Sequence, residues 1–352
     1  MTLKLMSFQA IQKHGYDTVI DVRSPAEFAE DHIPGAINLP VLDDHERAMV
    51  GTIYKQESPF KARKIGAALV FRNAANHIEK SLSHHEGGWK PLVYCWRGGK
   101  RSGSFSWMLR EIGWRSDLIE GGYRSYRRQV TQLLYDSTLD LRFVQLGGYT
   151  GTAKTDILHR LRDLGAQVLD LEGVAQHRGS LLGAMPSGQP AQKRFESILA
   201  QTLSGFDPKR PVLVEAESSK IGKLNLPPSL WEAMKKAPWF EVTAHLFARA
   251  KYLSQTYSDV LENREELVAR LQPLRHFRGH ATVDNWMQLI ERGENVQLCL
   301  ALSQDHYDPA YDKSIRSVGP KVIRRFDVAD LSVGAIDVVT RQIATDLQQM
   351  EI

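Results

Sequence analysis

Only two cysteines, Cys95 and Cys299, occur in 352 residues. At most one disulfide could form, which is a thin framework for a secreted protein of this size and fits a reducing cytoplasm better. No run approaches the roughly 18 apolar residues of a membrane-spanning helix. The stretch Met1 to Ala10 lacks the apolar core and small-residue cleavage site of a signal peptide. The expectation is a cytoplasmic protein with no membrane partner. Charge of one sign is also scarce: 45 Lys and Arg face 41 Asp and Glu, for a net charge of +4. That excess is too small to argue for nucleic acid by itself. There is no internal repeat and no low-complexity tract. With 42% hydrophobic and 24% charged residues, the composition is that of an ordinary globular protein, and the length implies two domains.

Against this plain background one stretch stands out, Leu92-Val93-Tyr94-Cys95-Trp96-Arg97-Gly98-Gly99-Lys100-Arg101-Ser102-Gly103. An apolar strand delivers a thiol to the start of a short glycine-rich loop, and a helix follows. Backbone N–H groups of such a loop and the N-terminus of the helix converge on one point and favour an anion there. The thiolate, the reactive form of cysteine, suits that place. Cys95 is the candidate nucleophile, with Arg97, Gly98, Gly99, Lys100, Arg101 and Ser102 as its anion loop. The spacing of Cys95 and Arg101 also matches cysteine-dependent phosphatases, whose Arg grips phosphate bidentately. Those enzymes commonly have His before the Cys, where Tyr94 stands here, and no general acid is singled out.

The flanking sequence alternates strands and helices. Strands are expected at Thr18–Val22, up to Asn38, and at Asp117–Ile119. Helices are expected from Ser24-Pro25-Ala26-Glu27, over about Ala62–Leu82, over Ser104–Ile112 and over Tyr123–Leu134. A boundary near Ser137 separates a domain over 1–137 from one over 138–352. The second begins with a strand at Arg142–Leu146, a glycine-rich turn and a helix at Lys154–Leu164. Strands at 167–171, 211–215 and 240–244 follow, and the chain beyond Ala244 reads as mostly helical.

Gly148-Tyr149-Thr150-Gly151-Thr152-Ala153-Lys154-Thr155 nearly matches the phosphate-binding G-x-x-x-x-G-K-[ST] pattern, between a strand and a helix as the mechanism requires. Gly148, Gly151, Lys154 and Thr155 are the phosphate-binding candidates, and Thr155 suits Mg²⁺. Ala153 stands where the pattern has glycine. If that position needs a left-handed backbone, a Cβ is costly; if it is the first helical residue, alanine costs little. Val212-Leu213-Val214-Glu215-Ala216-Glu217 is an apolar strand ending in carboxylates, where P-loop proteins place a metal-orienting or water-orienting acid. Asp170, Glu172, His177 and Arg178 form a further polar cluster and, with Glu215 and Glu217, a candidate site wall.

The segments Asp21-Val22-Arg23-Ser24-Pro25-Ala26-Glu27-Phe28 and His32-Ile33-Pro34-Gly35-Ala36-Ile37-Asn38, with the Cys95 loop, resemble rhodanese domains over roughly residues 5 to 135. In that resemblance Asp21 and Arg23 brace the loop from beneath. Taken whole, the chain resembles the tRNA 2-selenouridine synthases. The matching features are the Cys95 loop, Gly121-Gly122-Tyr123, the P-loop and Asp170-Leu171-Glu172-Gly173 with His177-Arg178-Gly179-Ser180. Glu215-Ala216-Glu217-Ser218-Ser219-Lys220-Ile221-Gly222 and Tyr307-Asp308-Pro309-Ala310-Tyr311 complete the set.

The resemblance implies an α/β architecture: an N-terminal rhodanese-like domain, then a P-loop NTPase-like α/β domain with a mostly helical C-terminal part. It implies a selenotransferase that replaces the sulfur of wobble 2-thiouridine in tRNA with selenium from selenophosphate. An S-geranyl intermediate made with geranyl diphosphate lies on that route, with both donors as co-substrates and no tightly bound cofactor. The alternative is a sulfurtransferase or cysteine phosphatase fused to a phosphate-binding domain. For tRNA phosphates the candidates are Arg124, Arg127, Arg128, Arg249 and Lys251. Trp96 is either a stacking platform for the base or a core residue.

Overall fold

The computed structural model describes residues 2–5, 7–8 and 15–350, with the backbone alone for 314–318, so part of the Met1 to Ala10 stretch lies outside the described residues. The chain divides into two units, residues 1–137 with 190–204, and residues 138–189 with 205–352. No described helix is long and apolar enough to cross a membrane.

In the first unit, strands β1 (Thr2–Leu3), β2 (Thr18–Asp21), β3 (Ile37–Asn38), β4 (Pro91–Tyr94) and β5 (Asp117–Ile119) form a parallel sheet in the order β1-β5-β4-β2-β3. Residues along β4 are buried on both faces, as parallel strands covered by helices must be. Helix α1 (Pro25–Glu30) starts as its sequence requires. Ser24 and Glu27 form a capping box, and Pro25 occupies the first turn.

Helix α2 (Asp44–Gln56), capped by Asp43, was not anticipated. Its burial stripe is nearly confined to Ile53, which leaves little apolar periodicity to read. Helix α3 (Pro59–Glu79) starts with Ser58 as its cap, earlier than the expected Ala62. Helix α4 (Lys100–Ile112) begins directly after Gly99, four residues before the expected Ser104. Helix α5 (Gly122–Thr131) closes the unit and runs into a π-helical turn at Gln132–Asp136.

The second unit is built on strand β6 (Arg142–Gly147), helix α6 (Lys154–Asp163), strand β7 (Gln167–Leu169) and helix α7 (Leu171–Ala175). Helix α8 (Gln192–Ser204) lies between them and β8 (Pro211–Glu215) in sequence, yet groups with the first unit. The expected domain over 138–352 therefore loses residues 190–204. Tertiary pairing decides this: Ser197 donates to Asp31 at 2.8 Å and Tyr135 to Glu196 at 2.6 Å.

A short antiparallel pair, β9 (Lys220–Ile221) and β10 (Leu224–Asn225), precedes helix α9 (Pro228–Lys236) and strand β11 (Trp239–Ala244). The main sheet is parallel in the order β12-β11-β6-β8-β7, where β12 is Val322–Val328. This last strand interrupts the stretch beyond Ala244, which is mostly helical as its sequence reads. Its Val-Ile-Arg-Arg-Phe-Asp-Val run buries only Phe326 and Val328, so the apolar signal of a strand is weak there. The helices between Leu246 and Leu302 pack on a second core around the fully buried Trp286.

Beneath the Cys95 loop, Asp21 and Arg23 are buried and joined bidentately. Arg23 Nε and Nη2 donate to Asp21 at 3.1 and 2.7 Å, and Nη2 also donates to Asp31 O at 2.6 Å. Arg23→Met should destabilise the protein by about 3–5 kcal/mol, because Asp21 is left charged without its partner in the core. The double variant Asp21→Asn/Arg23→Met should cost less than the single change. Urea midpoints of the three proteins check this, and equal losses in the single and double variants would refute it.

Candidate functional site

Parallel pairing brings the C-terminal ends of β2 and β4 to one edge, and Cys95 follows β4 there. The Cys95 carbonyl accepts from Tyr123 N at 2.9 Å and the Trp96 carbonyl from Arg124 N at 3.1 Å. The start of α5 thereby grips the loop backbone. The grip requires Gly122. At φ +58 this residue lies so close that a Cβ would sit 2.2 Å from Cys95 O. The Cys95 thiol is 4% exposed and accepts from Ser102 Oγ at 3.2 Å. The Arg23 guanidinium stacks 4.0 Å over the Tyr123 ring, and Trp96 packs against the same ring at 5.3 Å. Trp96 is thus half-buried rather than free to serve as an open platform.

The cations of this loop separate into two sets. Arg97 and Lys100 are exposed and pair with no described acid. Arg101 donates to Glu27 at 2.9 Å. Burial alone would raise the Glu27 carboxyl, but the hydrogen bond and charge of Arg101 outweigh it and hold it below the usual range. Arg101 thus faces Glu27 of α1, unlike the exposed Arg97 and Lys100.

The P-loop follows β6, the middle strand of its sheet. Ala153 is left-handed at φ 59 and ψ 26, and buried. Of the two alternatives for this position, the costly one holds. A Cβ there costs about 1–2 kcal/mol, partly offset by burial of the methyl among Leu146, Ile157 and their neighbours. Lys154 Nζ donates to Gly148 O at 2.7 Å and Tyr149 O at 3.2 Å. Burial lowers the Lys154 pKa, and the charges of Glu172, Glu217 and Glu215 oppose that shift.

These carboxylates crowd the mouth of a cleft of about 650 Å³ lined by Gly148, Gly151, Lys154, Thr155, Glu172, Arg178, Glu215 and Glu217. Thr155 Oγ1 donates to Glu172 at 3.1 Å. Gly179 allows its backbone to approach the acids: a Cβ would lie 2.3 Å from Glu172 Oε1 and 2.7 Å from Glu217 Oε1. Burial, then the neighbouring Glu172, pushes Glu217 up to about 8, and Glu172 itself is raised by burial. A hydrogen bond between the two raises Glu217 further and opposes the rise of Glu172, so the proton of the pair resides on Glu217 and is shared through that bond. Glu215 is raised well above the carboxylate range by burial and by Asp170 and Glu172, while its Oε2 accepts from Leu171 N at 2.8 Å.

Two members of the expected wall do not line the cleft. Asp170 caps α7 through Gly173 N and binds His159 at 2.8 Å. His177 is buried and forms an isolated bridge with Ala184. Arg178 does line it, held by a bidentate pair with Asp259 at 3.0 and 2.8 Å and stacked on Tyr257.

The candidates for tRNA phosphates divide in the same way. Arg124, Arg128 and Lys251 are exposed. Arg127 turns inward to Glu196 and donates to Lys193 O at 3.3 Å. Arg249 is 4% exposed, bidentate with Asp308 at 2.9 and 2.7 Å, and donates to Thr150 O at 3.1 Å. Both are corrected from phosphate contacts to internal clamps.

Sequence reasoning missed how the P-loop is held. Gly148 N donates to Tyr311 Oη at 2.7 Å, Tyr149 Oη donates to Asp312 at 2.7 Å, and Arg249 joins the loop to Asp308. The motif Tyr307-Asp308-Pro309-Ala310-Tyr311 was visible, but nothing local tied it to residues more than 150 positions earlier. The cleft's aromatic wall, Trp231, Trp239, Tyr252, Tyr257, Tyr307 and Tyr311, was missed for the same reason.

Comparison with known proteins places both units. Residues 7–129 match the rhodanese-like domain, and residues 141–293 match the tRNA 2-selenouridine synthase AAA domain. A tRNA 2-selenouridine synthase of Alcanivorax borkumensis is 32% identical over 326 residues, covering 84% of this chain and 88% of the relative. One from Nitrosomonas europaea is 36% identical over 243 residues, covering 68% of this chain but 63% of that protein. The solved rhodanese-related protein of Thermoplasma volcanium is 21% identical, covers 36% of this chain and 91% of its own, and has a TM-score of 0.23.

Ala153→Gly should change stability by less than about 1 kcal/mol. The relief of left-handed strain is matched by lost methyl burial and by added freedom of the unfolded chain. Chemical denaturation checks this, and a loss above 2 kcal/mol would refute the balance.

The Glu172–Glu217 pair gives a pH dependence of definite sign. The folded chain holds the shared proton until about pH 8, whereas glutamate in an unfolded chain loses it near about pH 4.3. Unfolding in that window releases a proton, so stability falls as pH rises through it. Glu217→Gln should flatten the decline of the urea midpoint between about pH 5 and 8. A decline as steep as that of the wild type would show that the pair is not its source.

Proposed function

The chain belongs to the tRNA 2-selenouridine synthase family, and we propose that it exchanges the sulfur of wobble 2-thiouridine in tRNA for selenium by way of an S-geranyl intermediate. The observation that carries the geranyl step is the make-up of the cleft. The lining combines the P-loop and Lys154 with the large side chains Trp231, Trp239, Tyr252 and Leu253. Such a site suits a ligand that is anionic at one end and apolar at the other, as a prenyl diphosphate is.

In the first step the thiocarbonyl sulfur attacks C1 of the geranyl group. The C–O bond breaks, and its electron pair leaves with the diphosphate. Lys154 and the loop amides meet that developing charge. No attacking water is needed, which suits a P-loop whose Glu172 and Glu217 share a proton rather than standing as free bases.

Mg²⁺ fits the donor set only with help from the ligand. Thr155 and one carboxylate of the Glu172–Glu217 pair supply hard oxygens. No group of three or more His, Cys, Asp or Glu among the described residues could hold a metal alone. The diphosphate would complete the shell.

Selenium, supplied as selenophosphate, belongs to the Cys95 loop. There Arg97 and Lys100 are the loop cations with no described acid partner. Selenium attacks C2 of the base, the C2–S bond breaks with the geranylthiolate leaving, and hydrolysis of the P–Se bond releases phosphate and completes the exchange.

The two steps should separate by mutation. Cys95→Ser should abolish 2-selenouridine formation and leave geranyl transfer to thiolated tRNA intact. Lys154→Ala should lower geranyl transfer about 10²–10³-fold, while supplied S-geranyl tRNA is still selenated. Radiolabelled geranyl diphosphate turnover, with mass spectrometry of the wobble nucleoside, reads both. Normal geranyl transfer by Lys154→Ala, or robust tRNA-dependent ATP hydrolysis by the wild type, would overturn the assignment of the P-loop.

A further inference from the structure

Helix α3 is chemically unlike the rest of the surface. From Ser58 to Ile78 the sequence holds Lys61, Arg63, Lys64 and Arg72 and no Asp or Glu. Lys61 pairs with Glu57 at 2.6 Å. Arg63, Lys64 and Arg72 are exposed and pair with no described acid.

Large rings stand exposed among them. Phe60 is 74% exposed, Phe71 41%, and Trp107 of α4 50%. Phe60, Lys64 and Phe71 recur at helical spacing and share a face. Phe71 and Trp107 meet edge to face at 6.2 Å, so the patch bridges two helices. Single exposed apolar residues are ordinary, but rings clustered among unpaired cations are not. The opposite side of α3 explains why the helix is held so firmly. Ala62, Gly66, Val70 and Ala74 are buried, and Gly66 lies so near α2 that a Cβ would be 3.3 Å from Val50 Cγ1.

The patch is continuous with the Cys95 loop. Lys100 opens α4 at the end of that loop, and Trp107 lies two turns along the same helix, roughly 10 Å away. Lys100, Ser104 and Trp107 share one face of α4 by their spacing.

We propose that the exposed face of α3, with Trp107, is the docking surface for the anticodon arm of the tRNA, with Lys64 and Arg72 on backbone phosphates and Phe71 and Trp107 against unstacked bases. The inference rests on the reading of Cys95 as the site of wobble-base chemistry. Charge decides the occupant. A polyanion with single-stranded bases uses both the cations and the rings. An apolar protein partner would leave Lys64 and Arg72 to be desolvated without a counter-charge.

The test measures binding of a 2-thiouridine-containing anticodon stem–loop to the full chain at several salt concentrations. Lys64→Gln/Arg72→Gln should weaken binding several-fold and reduce the slope of log K against log salt by roughly 1.5, as two lost phosphate contacts require. Phe71→Ala/Trp107→Ala should lose about tenfold through stacking, with the salt slope unchanged. Iodoacetamide labelling of Cys95 and thermal melts matching the wild type establish that the variants are folded.

Wild-type affinity and slope in the Lys64→Gln/Arg72→Gln variant, while wild-type protein binds the stem–loop, would overturn the surface but leave the proposed function standing. Failure of wild-type protein to bind any thiolated tRNA would overturn both. Acylation of Lys64 in the wild-type protein gives a reading that needs no variant. Saturating tRNA should slow it several-fold, and an unchanged rate overturns the proposal.

Discussion

Parallel pairing sends the C-terminal ends of neighbouring strands to one edge of a sheet, and each candidate site here is the consequence of that constraint. In the first unit the edge holds the end of β4 and Cys95; in the second it holds the P-loop after β6 and the carboxylates after β8. A loop at such an edge must turn some of its backbone N–H groups toward a ligand while its carbonyls find partners elsewhere. The structure meets both demands with backbone from the next helix. Tyr123 N and Arg124 N satisfy the carbonyls of Cys95 and Trp96. Close approach of this kind tolerates no side chain at Gly122, so the glycine follows from the hydrogen bonding.

Charge is then distributed by pairing. Each of the two units contains arginines that appear available in the sequence and are consumed in the fold. Arg101 holds Glu27, Arg127 holds Glu196, and Arg249 holds Asp308. These pairs fix helices against loops, and their loss would leave a half-buried charge exposed to a low dielectric. Among the described residues, Arg97 and Lys100 at the thiol loop, the cations of α3, and Arg124, Arg128 and Lys251 remain exposed and unpaired with an acid. The uncommitted cations, not the total, define where an anionic substrate is drawn.

In the second unit the same logic runs with the sign reversed. Lys154 stands among Glu172, Glu215 and Glu217, and burial makes the full ionisation of all three acids costly. The protein settles this by holding a proton between Glu172 and Glu217. The P-loop is meanwhile gripped by Tyr311 and Asp312 from the far end of the chain. A left-handed Ala153 persists because this surrounding structure over-determines it.

The sequence by itself determined the motifs and the strands that carry them. The apolar run before Cys95, the glycine loop before Lys154 and the capping box at Ser24 are written within a few residues, because strand alternation, turn chemistry and caps are local properties. Strand β12 and helix α2 were hidden because they bury too few apolar residues to leave a period. Tertiary structure alone decided which side chains face which. Arg101 meets a glutamate 74 residues away, and Arg249 meets an aspartate 59 residues away. It also assigned α8 to the first unit and chose the left-handed conformation of Ala153. Partners that far apart in the chain are selected by packing and burial, which no spacing along the backbone encodes.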